Sequence, residues 1–297
     1  MTIQIKTVQV CADNTATFNF DSIGDNSKII SYVIGIGGFG LWLDGFEKFI
    51  SEMNIEVSTV NISALEITVQ LDMNISEKSG GGGLSSNACF LTCVAEVNYL
   101  KGSPIELFNI QQGESKEGLS NFSSFGSFLS GFNFPSNGDS YGIQSLTIQS
   151  ALDPVSDGAL KAAGICTIYG GKESEKGSLY EGFIGLPSKQ DTDITLEVVN
   201  IEKPISDSNE IVSHEFSSEV IDAAFLLSGF SLPNQGSAQP ITSICAGISL
   251  AIPYESSIKI EGKKVSVQQL DAFVFHPGGG PKMNLNGLLI ATVPKST

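Results

Sequence analysis

The feature that most constrains this chain is a short motif that occurs three times. In each copy an apolar run ends in Gly-Phe-x-apolar, and the phenylalanine stands at position 39, 132 or 230. An isoleucine follows the phenylalanine by 11 residues in every copy: Ile50, Ile143 and Ile241. Because the residues in between differ, the shared interval indicates the same turn geometry between two strands. The copies are 93 and 98 residues apart, which is the spacing of domains rather than of a solenoid.

The repeat predicts three tandem modules, and we place their boundaries at 1–101, 102–190 and 191–297. The length of the chain agrees with this division, because single hydrophobic cores seldom grow beyond about 250–300 residues.

Hydrophobic periodicity predicts that each module consists of strands. The clearest case is Leu65–Ile75, which is apolar at every second position, as expected of a strand with one buried and one solvated face. Turns such as Ser79–Gly83 and Pro277–Gly280 separate the predicted strands. About six short strands in roughly 100 residues are typical of a sandwich. The predicted fold class is therefore all-β, with three tandem antiparallel β-sandwich modules that arise by internal triplication.

Each copy contains a strand that ends in the Gly-Phe motif, a turn, a second strand, a hairpin and a closing strand. This order resembles the six-stranded sandwich of H-type lectins. The resemblance implies a fold that trimerises and, in those lectins, binds galactosamine-type sugars near subunit interfaces. The lectin sites resemble clusters of arginine, histidine, aspartate and aromatic residues, whereas this chain has no arginine and two histidines. The resemblance therefore assigns no binding residue here.

The charge balance argues against nucleic acid and anionic membranes as partners. All 16 basic residues are lysine, 32 residues are acidic, and the formal net charge is −16. Phosphate recognition favours arginine and clustered positive charge, and an acidic chain repels a polyphosphate. No run approaches the ~18 apolar residues of a membrane span. The first ten residues alternate like a strand and lack the pattern of a signal peptide, so we expect cytoplasmic synthesis or non-classical export.

Charged residues make up only 16% of the chain, which predicts a weakly charged surface. Either the protein stands alone with bland Ser, Asn and Gly faces, or neighbouring subunits cover apolar faces and make it a homo-oligomer or polymer. The alternating strands at the two ends, Ile3–Val10 and Leu288–Val293, are candidates to join a neighbour's sheet. The five cysteines are expected to be buried free thiols.

One motif resembles a cofactor site. Gly35-Ile-Gly-Gly-Phe-Gly40 is a literal G-x-G-x-x-G after an apolar strand, with Glu56 at a plausible distance for a ribose hydroxyl. A dinucleotide site needs such a loop to open into the N-terminus of a helix. The other two copies keep the strand and the Gly-Phe pair but carry Ser130 and Ser228 in place of the second glycine. We interpret these glycines as strand-end residues and predict no cofactor.

Other catalytic and metal-binding patterns are weak. His214 and His276 lie in different contexts, and neither has the neighbouring ligands that a metal site needs. Asp191-Thr-Asp193 offers carboxylates for calcium, as an alternative to a solvated module junction. No nucleophile stands in a pattern with a base and an orienting acid. We predict no catalytic residue, no metal site and no enzymatic activity.

The residues that only one copy carries are the candidates for interaction. Trp42, the only tryptophan, follows the first motif together with Phe46, whereas the counterparts of Trp42 in the other copies, Pro135 and Pro233, are not aromatic. An aromatic side chain at the tip of a sandwich suits contact with a sugar or another subunit, and packing within its own module is the alternative. His276 precedes a glycine-rich loop. We predict Trp42, Phe46 and His276 as interaction residues.

The leading functional hypothesis is a non-catalytic, self-assembling structural protein, a subunit of a filament, sheath, particle or inclusion. The alternative is a carbohydrate-binding, lectin-like protein or the targeting component of a toxin, with glycans as its partners.

Overall fold

A computed structural model describes residues 2–12, 14–43, 49–77, 87–97, 105–119, 122–135, 142–156, 158–170, 174–187, 194–204, 211–275 and 280–294. The described residues within 2–97, 105–187 and 194–294 are named segment 1, segment 2 and segment 3. The predicted boundaries between residues 101 and 102 and between residues 190 and 191 lie outside the described residues. The division into three modules therefore stays a prediction.

Segment 1 contains strands β1 (Thr2–Cys11), β2 (Thr15–Asn19), β3 (Ile29–Trp42), β4 (Ile50–Ile62), β5 (Glu66–Glu77) and β6 (Ala88–Val97). Segment 2 contains β7 (Glu106–Gln111), β8 (Ser115–Lys116), β9 (Phe122–Phe134), β10 (Ser145–Gln149), β11 (Leu152–Ser156), β12 (Ala159–Ala162), β13 (Ile165–Tyr169), β14 (Ser174–Lys176) and β15 (Ser178–Pro187). Segment 3 contains β16 (Ile194–Pro204), β17 (Val212–Glu215), β18 (Asp222–Leu232), β19 (Ser243–Ile248), α1 (Tyr254–Ser257), β20 (Ile258–Glu261), β21 (Lys264–Val267), β22 (Leu270–Phe275) and β23 (Asn284–Pro294).

These elements confirm the predicted all-β class. Every pairing between the named strands is antiparallel, and the described helix α1 has only four residues. In β5 the apolar residues from Ile67 to Ile75 are buried, and the residues between them reach the surface. The period-two pattern in the sequence therefore sets which face of this strand packs on the core. No described helix is long and apolar enough to cross a bilayer.

Each of the three large sheets draws its strands from two segments. Sheet A has the order β1-β6-β3-β19-β22, sheet B has the order β2-β5-β4-β9-β15-β7, and sheet C has the order β14-β13-β10-β18-β23-β16. In each sheet one segment contributes its first strand, its last strand and its motif strand, which is the strand that carries the Gly-Phe motif. The motif strand pairs with a strand of another segment. Segment 1 joins segment 3 in sheet A, segment 3 joins segment 2 in sheet C, and segment 2 joins segment 1 in sheet B. The three segments therefore form a closed ring.

The register of strand pairing is the same at all three junctions. The motif phenylalanines pair across segments as Phe39 with Ala246, Phe132 with Ile55, and Phe230 with Ile148. Two residues later the pairs are Leu41 with Ile244, Phe134 with Met53, and Leu232 with Leu146. The same rule therefore holds at each junction. Met53, which follows Phe39 by 14 residues, pairs with Phe134, which follows Phe132 by two residues, and the other two pairs have the same offsets.

The three motif phenylalanines meet in the middle of the ring. The ring centroid of Phe39 lies 5.7 Å from that of Phe132 and 5.3 Å from that of Phe230, and Phe132 and Phe230 are 6.1 Å apart. All three side chains are buried in one apolar cluster that contains residues of every segment. Aromatic rings at these separations attract one another beyond the burial of their surface. The chain's own segments therefore cover the apolar faces that the motif creates.

A β-bulge interrupts the motif strand at the same place in each segment. The ladder to the neighbouring strand skips Gly37 in β3, Ser130 in β9 and Ser228 in β18. A bulge reverses the alternation of faces, so residues before and after it can point to the same side. One face of the motif strand therefore packs in the phenylalanine cluster, and its other face packs in a second apolar cluster that contains residues of every segment. Because both faces are buried, the sequence of the motif strand is a continuous apolar run.

The glycine motif of segment 1 lies inside β3 and not in a loop. A β-carbon on Gly35 would overlap the ring of Phe128 and would lie 2.8 Å from Cδ2 of Leu226. Phe128 and Leu226 occupy the position of Gly35 in their own segments. The glycine therefore makes room for two larger residues where the three motif strands approach one another. The prediction of a strand-end position is wrong, since β3 continues to Trp42.

Two further expectations need correction. Leu288–Val293 cannot join a neighbour's sheet as an edge, because β23 lies between β16 and β18. The strand β1, by contrast, is the outer strand of sheet A. Four of the five cysteines are buried and free as predicted, whereas Cys11 is exposed.

Candidate functional site

A cleft lies where segment 1 meets segment 2. Its volume is about 670 Å³, within the range of about 300–1,000 Å³ that is usual for small-molecule sites. The cleft is lined by Ile30, Ser31, Tyr32, Ile34, Val57, Thr59, Leu107, Phe108, Asn109, Ile110, Gln111, Glu114, Ser130 and Tyr180. We name it the 1–2 cleft.

The walls of the 1–2 cleft are strand edges that the ring leaves unpaired. The strand β3 pairs with β19 only between Gly38 and Trp42, so its first half has one strand partner, β6. The strand β4 pairs with β9 only between Met53 and Ile55, and Val57 and Thr59 lie beyond that stretch. The opposite wall is β7, the outer strand of sheet B. The cleft exists because the strands of two segments separate beyond their short stretch of pairing.

A side-chain amide closes part of the free edge of β3. The Ile34 N–H donates to Oδ1 of Asn109 at 3.3 Å, and Nδ2 of Asn109 donates to the Ile34 carbonyl oxygen at 2.9 Å. The hydroxyl of Ser130 also donates to that carbonyl oxygen, at 2.5 Å. Asn109 thus pairs with Ile34 as the backbone of a neighbouring strand would, and this satisfies polar groups that would otherwise be left open.

The remaining lining groups are mostly hydroxyls, amides and aromatic rings. The hydroxyls of Tyr32 and Thr59 lie 3.1 Å apart, and Oε2 of Glu114 accepts a hydrogen bond from the Gln111 N–H at 3.1 Å. Desolvation, followed by the nearby Glu56 carboxylate, raises the pKa of Tyr180, so its hydroxyl is neutral near pH 7. Among the described residues that line the cleft there is one carboxylate and no lysine. This lining suits a neutral polar ligand.

The equivalent position between segment 3 and segment 1 is filled. Phe225 stands five residues before its motif phenylalanine, as Ile34 does, and Thr7 occupies the place of Asn109 on its strand. Phe90 corresponds in the same way to Tyr180. At this junction Tyr254 packs on Phe90 with ring centroids 5.5 Å apart. Burial raises the pKa of Tyr254. The side chains of Thr7 and Thr92 and the backbone of Phe225 oppose this rise.

The structure places Trp42, the one sequence-predicted interaction residue that it describes, away from the 1–2 cleft. Trp42 is the last residue of β3, and its N–H donates to Oδ1 of Asn87 at 2.7 Å. It is half-buried and pairs with Ser243, which also pairs with Phe275. Phe46 and His276 lie outside the described residues, as does Asp191–Asp193.

The other residues that the sequence singled out have structural surroundings. His214 lies in β17 and pairs with Val265 of β21. The ring centroid of His214 lies 4.8 Å from that of Phe216. Burial raises the pKa of Cys166 and Cys245 to about 12 and that of the two other buried thiols still higher. Those four thiols are therefore poor nucleophiles. Within the described part of the chain no group of three histidine, cysteine or carboxylate side chains is placed to hold a metal ion.

Comparison of the chain with protein-family models gives no match, and comparison with curated proteins gives no significant one. The likeness to H-type lectins therefore stays a prediction.

The 1–2 cleft could not be found by reasoning from the sequence. Asn109 and Tyr180 come from ordinary strand positions, and no motif marks them. Their role depends on which strands the ring brings together. The available signal is a difference between copies, because Asn109 and Thr7 occupy equivalent positions and differ in side chain.

Proposed function

We propose that this protein is a non-catalytic binding protein that takes a carbohydrate in the 1–2 cleft. The observation that carries the proposal is the lining of an open cleft with hydroxyl, carboxamide and aromatic groups, in a ring whose equivalent 3–1 junction is filled. The predicted absence of enzymatic activity is part of this proposal.

A sugar fits the chemistry of this lining better than a charged ligand does. Its hydroxyl groups can donate to Glu114 and exchange hydrogen bonds with Thr59 and Gln111, all of which line the cleft. Its apolar C–H face can lie on the ring of Tyr32 or Tyr180. A phosphate or carboxylate ligand would meet Glu114 without a lysine among the described lining residues.

The experiment is a glycan array with the full chain, followed by calorimetric titration of each glycan that binds. The test variants are Tyr180→Leu and Glu114→Gln, which remove an aromatic ring and the carboxylate assigned to the sugar. Tyr169→Leu is the control, because Tyr169 lies at the end of β13 and does not line the cleft. The proposal requires at least one glycan whose affinity falls about tenfold, near 1.4 kcal/mol, in the test variants only. An array without any hit contradicts it.

Self-assembly remains the second candidate. The observation that favours it is that β1, β7 and β16 each lie at one edge of a large sheet, hydrogen-bonded to a strand on one side. Outer strands offer unpaired backbone groups to another chain. Light scattering at increasing protein concentration tests it, because assembly predicts a mass that rises above that of one chain. A constant mass of 31.4 kDa at high concentration would exclude this candidate.

A further inference from the structure

A second, smaller concavity lies on sheet A, at the junction of segments 1 and 3. Its volume is about 340 Å³, and its lining includes Trp42, Phe273, Asp271 and Gln9. We name it the Trp42 bowl. Its lining comes from all five strands of sheet A and from the chain after β19, so it exists only because segment 3 extends the sheet of segment 1.

The shape of the Trp42 bowl follows from small residues on adjacent strands. Gly40 pairs with Cys245, and Cys245 pairs with Phe273. A β-carbon on Gly40 would overlap the six-membered ring of Trp42. The ring therefore lies over its own strand, in space that only a glycine leaves free, and Phe273 stands two strands away.

The polar groups of the bowl are a carboxylate, a carboxamide and a hydroxyl. Asp271 is half-buried and hydrogen-bonds to the side chain of Ser249, while the Gln9 side chain is exposed. As in the 1–2 cleft, no lysine occurs among the described residues of the lining. An aromatic ring beside a carboxylate and a carboxamide provides one apolar surface and several hydrogen-bonding groups for the same small ligand.

We propose that the Trp42 bowl binds one neutral sugar ring, whose C–H face lies on Trp42 and whose hydroxyls bond to Asp271 and Gln9. The site is independent of the 1–2 cleft and of the function proposed for it. A sugar suits this lining because it presents an apolar face and a ring of hydroxyls together. The volume of the bowl limits the ligand to about one ring, so affinity in the millimolar range is expected.

The sequence supplies a direct probe, because Trp42 is the only tryptophan. Fluorescence excited at the long-wavelength edge of the tryptophan band, where tyrosine does not absorb, therefore reports on this bowl and not on the 1–2 cleft. The full chain is titrated with glucose, galactose, mannose and their N-acetylated amines. The proposal predicts a saturable change in the intensity or wavelength of Trp42 emission with at least one of them. A signal that stays flat with every sugar up to high millimolar concentration overturns it.

Two variants test the groups assigned to the bowl, and a third is the control. Asp271→Asn keeps the shape of the side chain and removes its charge, whereas Gly40→Ala displaces the Trp42 ring without deleting it. Each of the two is expected to weaken the sugar affinity measured by fluorescence at least tenfold. Tyr180→Phe, in the 1–2 cleft, is the matched control and should leave it unchanged. If Gly40→Ala fails to fold, as judged by circular dichroism, Asp271→Asn alone decides. An affinity that is unchanged in Asp271→Asn, or a response to a simple amine cation instead of sugars, overturns the proposal.

Discussion

The junction between segments 1 and 2 and the junction between segments 3 and 1 have the same strand register but different interiors. At the first, Asn109 pairs with the backbone of Ile34 beside a cavity of about 670 Å³. At the second, Tyr254 occupies the equivalent space against Phe90. The repeated strands therefore set the scaffold at both junctions. The side chain of Tyr254 fills one junction, and without such an aromatic residue the other junction stays open as a cleft.

The largest effect is expected from Tyr254→Ala at the filled junction. Tyr254 is partly buried and packs on Phe90 against the core, so removing its ring should lower the free energy of unfolding by about 2–3 kcal/mol. Urea unfolding measures it. The matched variant is Tyr180→Ala in the open cleft, where a half-exposed ring should cost only about 1 kcal/mol. Equal losses in the two variants would show that the junctions do not differ in packing as described.

A smaller effect is expected from Asn109→Ala at the open junction. The variant loses the paired hydrogen bonds to Ile34, and it should lower the free energy of unfolding by about 1–2 kcal/mol. Hydrogen exchange at the Ile34 amide should accelerate, while exchange at the Phe225 amide at the other junction should not change. Gln111→Ala, in the same wall, is the control. Unchanged protection of Ile34 would refute the pairing with Asn109.

The smallest effect is a pH dependence at the filled junction. Desolvation raises the pKa of Asp222 above its ordinary value of 3.8, while the Ala223 N–H and then Lys6 oppose the rise. The folded state therefore keeps the Asp222 proton to higher pH than the unfolded state does. The resulting stability is fully present below pH 3.8 and is lost as the pH rises through the folded pKa.

Asp222→Asn should remove this contribution, so the decline in stability with rising pH becomes shallower. Asp72 is an exposed aspartate on β5, and Asp72→Asn is the control for the loss of one surface carboxylate. Unfolding free energies measured across this pH range give the slopes. An identical slope in Asp222→Asn and the unaltered protein would rule out the raised pKa.

Local features of the fold could be predicted from the sequence. The step of 11 residues from Phe39 to Ile50 recurs, and the strand that follows each step pairs in the same register in every segment. Alternation in β5 predicted its buried face. Both signals depend on residues that are close in the chain, where periodicity and turn chemistry act directly.

The pairing between segments could not be predicted in the same way. Leu41 and Ile244 are neighbours only because sheet A combines two segments, and no local pattern specifies that partner. For the same reason the sequence drew attention to Trp42 but not to Asn109, whose importance depends on the backbone of Ile34 across the cleft. The glycine run is interpreted from the sequence as a strand end, whereas it lies inside β3 with a bulge at Gly37.

The measurement that tests the closed ring most directly is nuclear magnetic resonance of the deuterated chain, with detection of backbone contacts across the three junctions. The closed ring predicts cross-strand nuclear Overhauser effects for Leu41 with Ile244, Phe134 with Met53, and Leu232 with Leu146. Their absence at any junction, with contacts confined within each segment, would contradict the ring and the origin of both proposed sites.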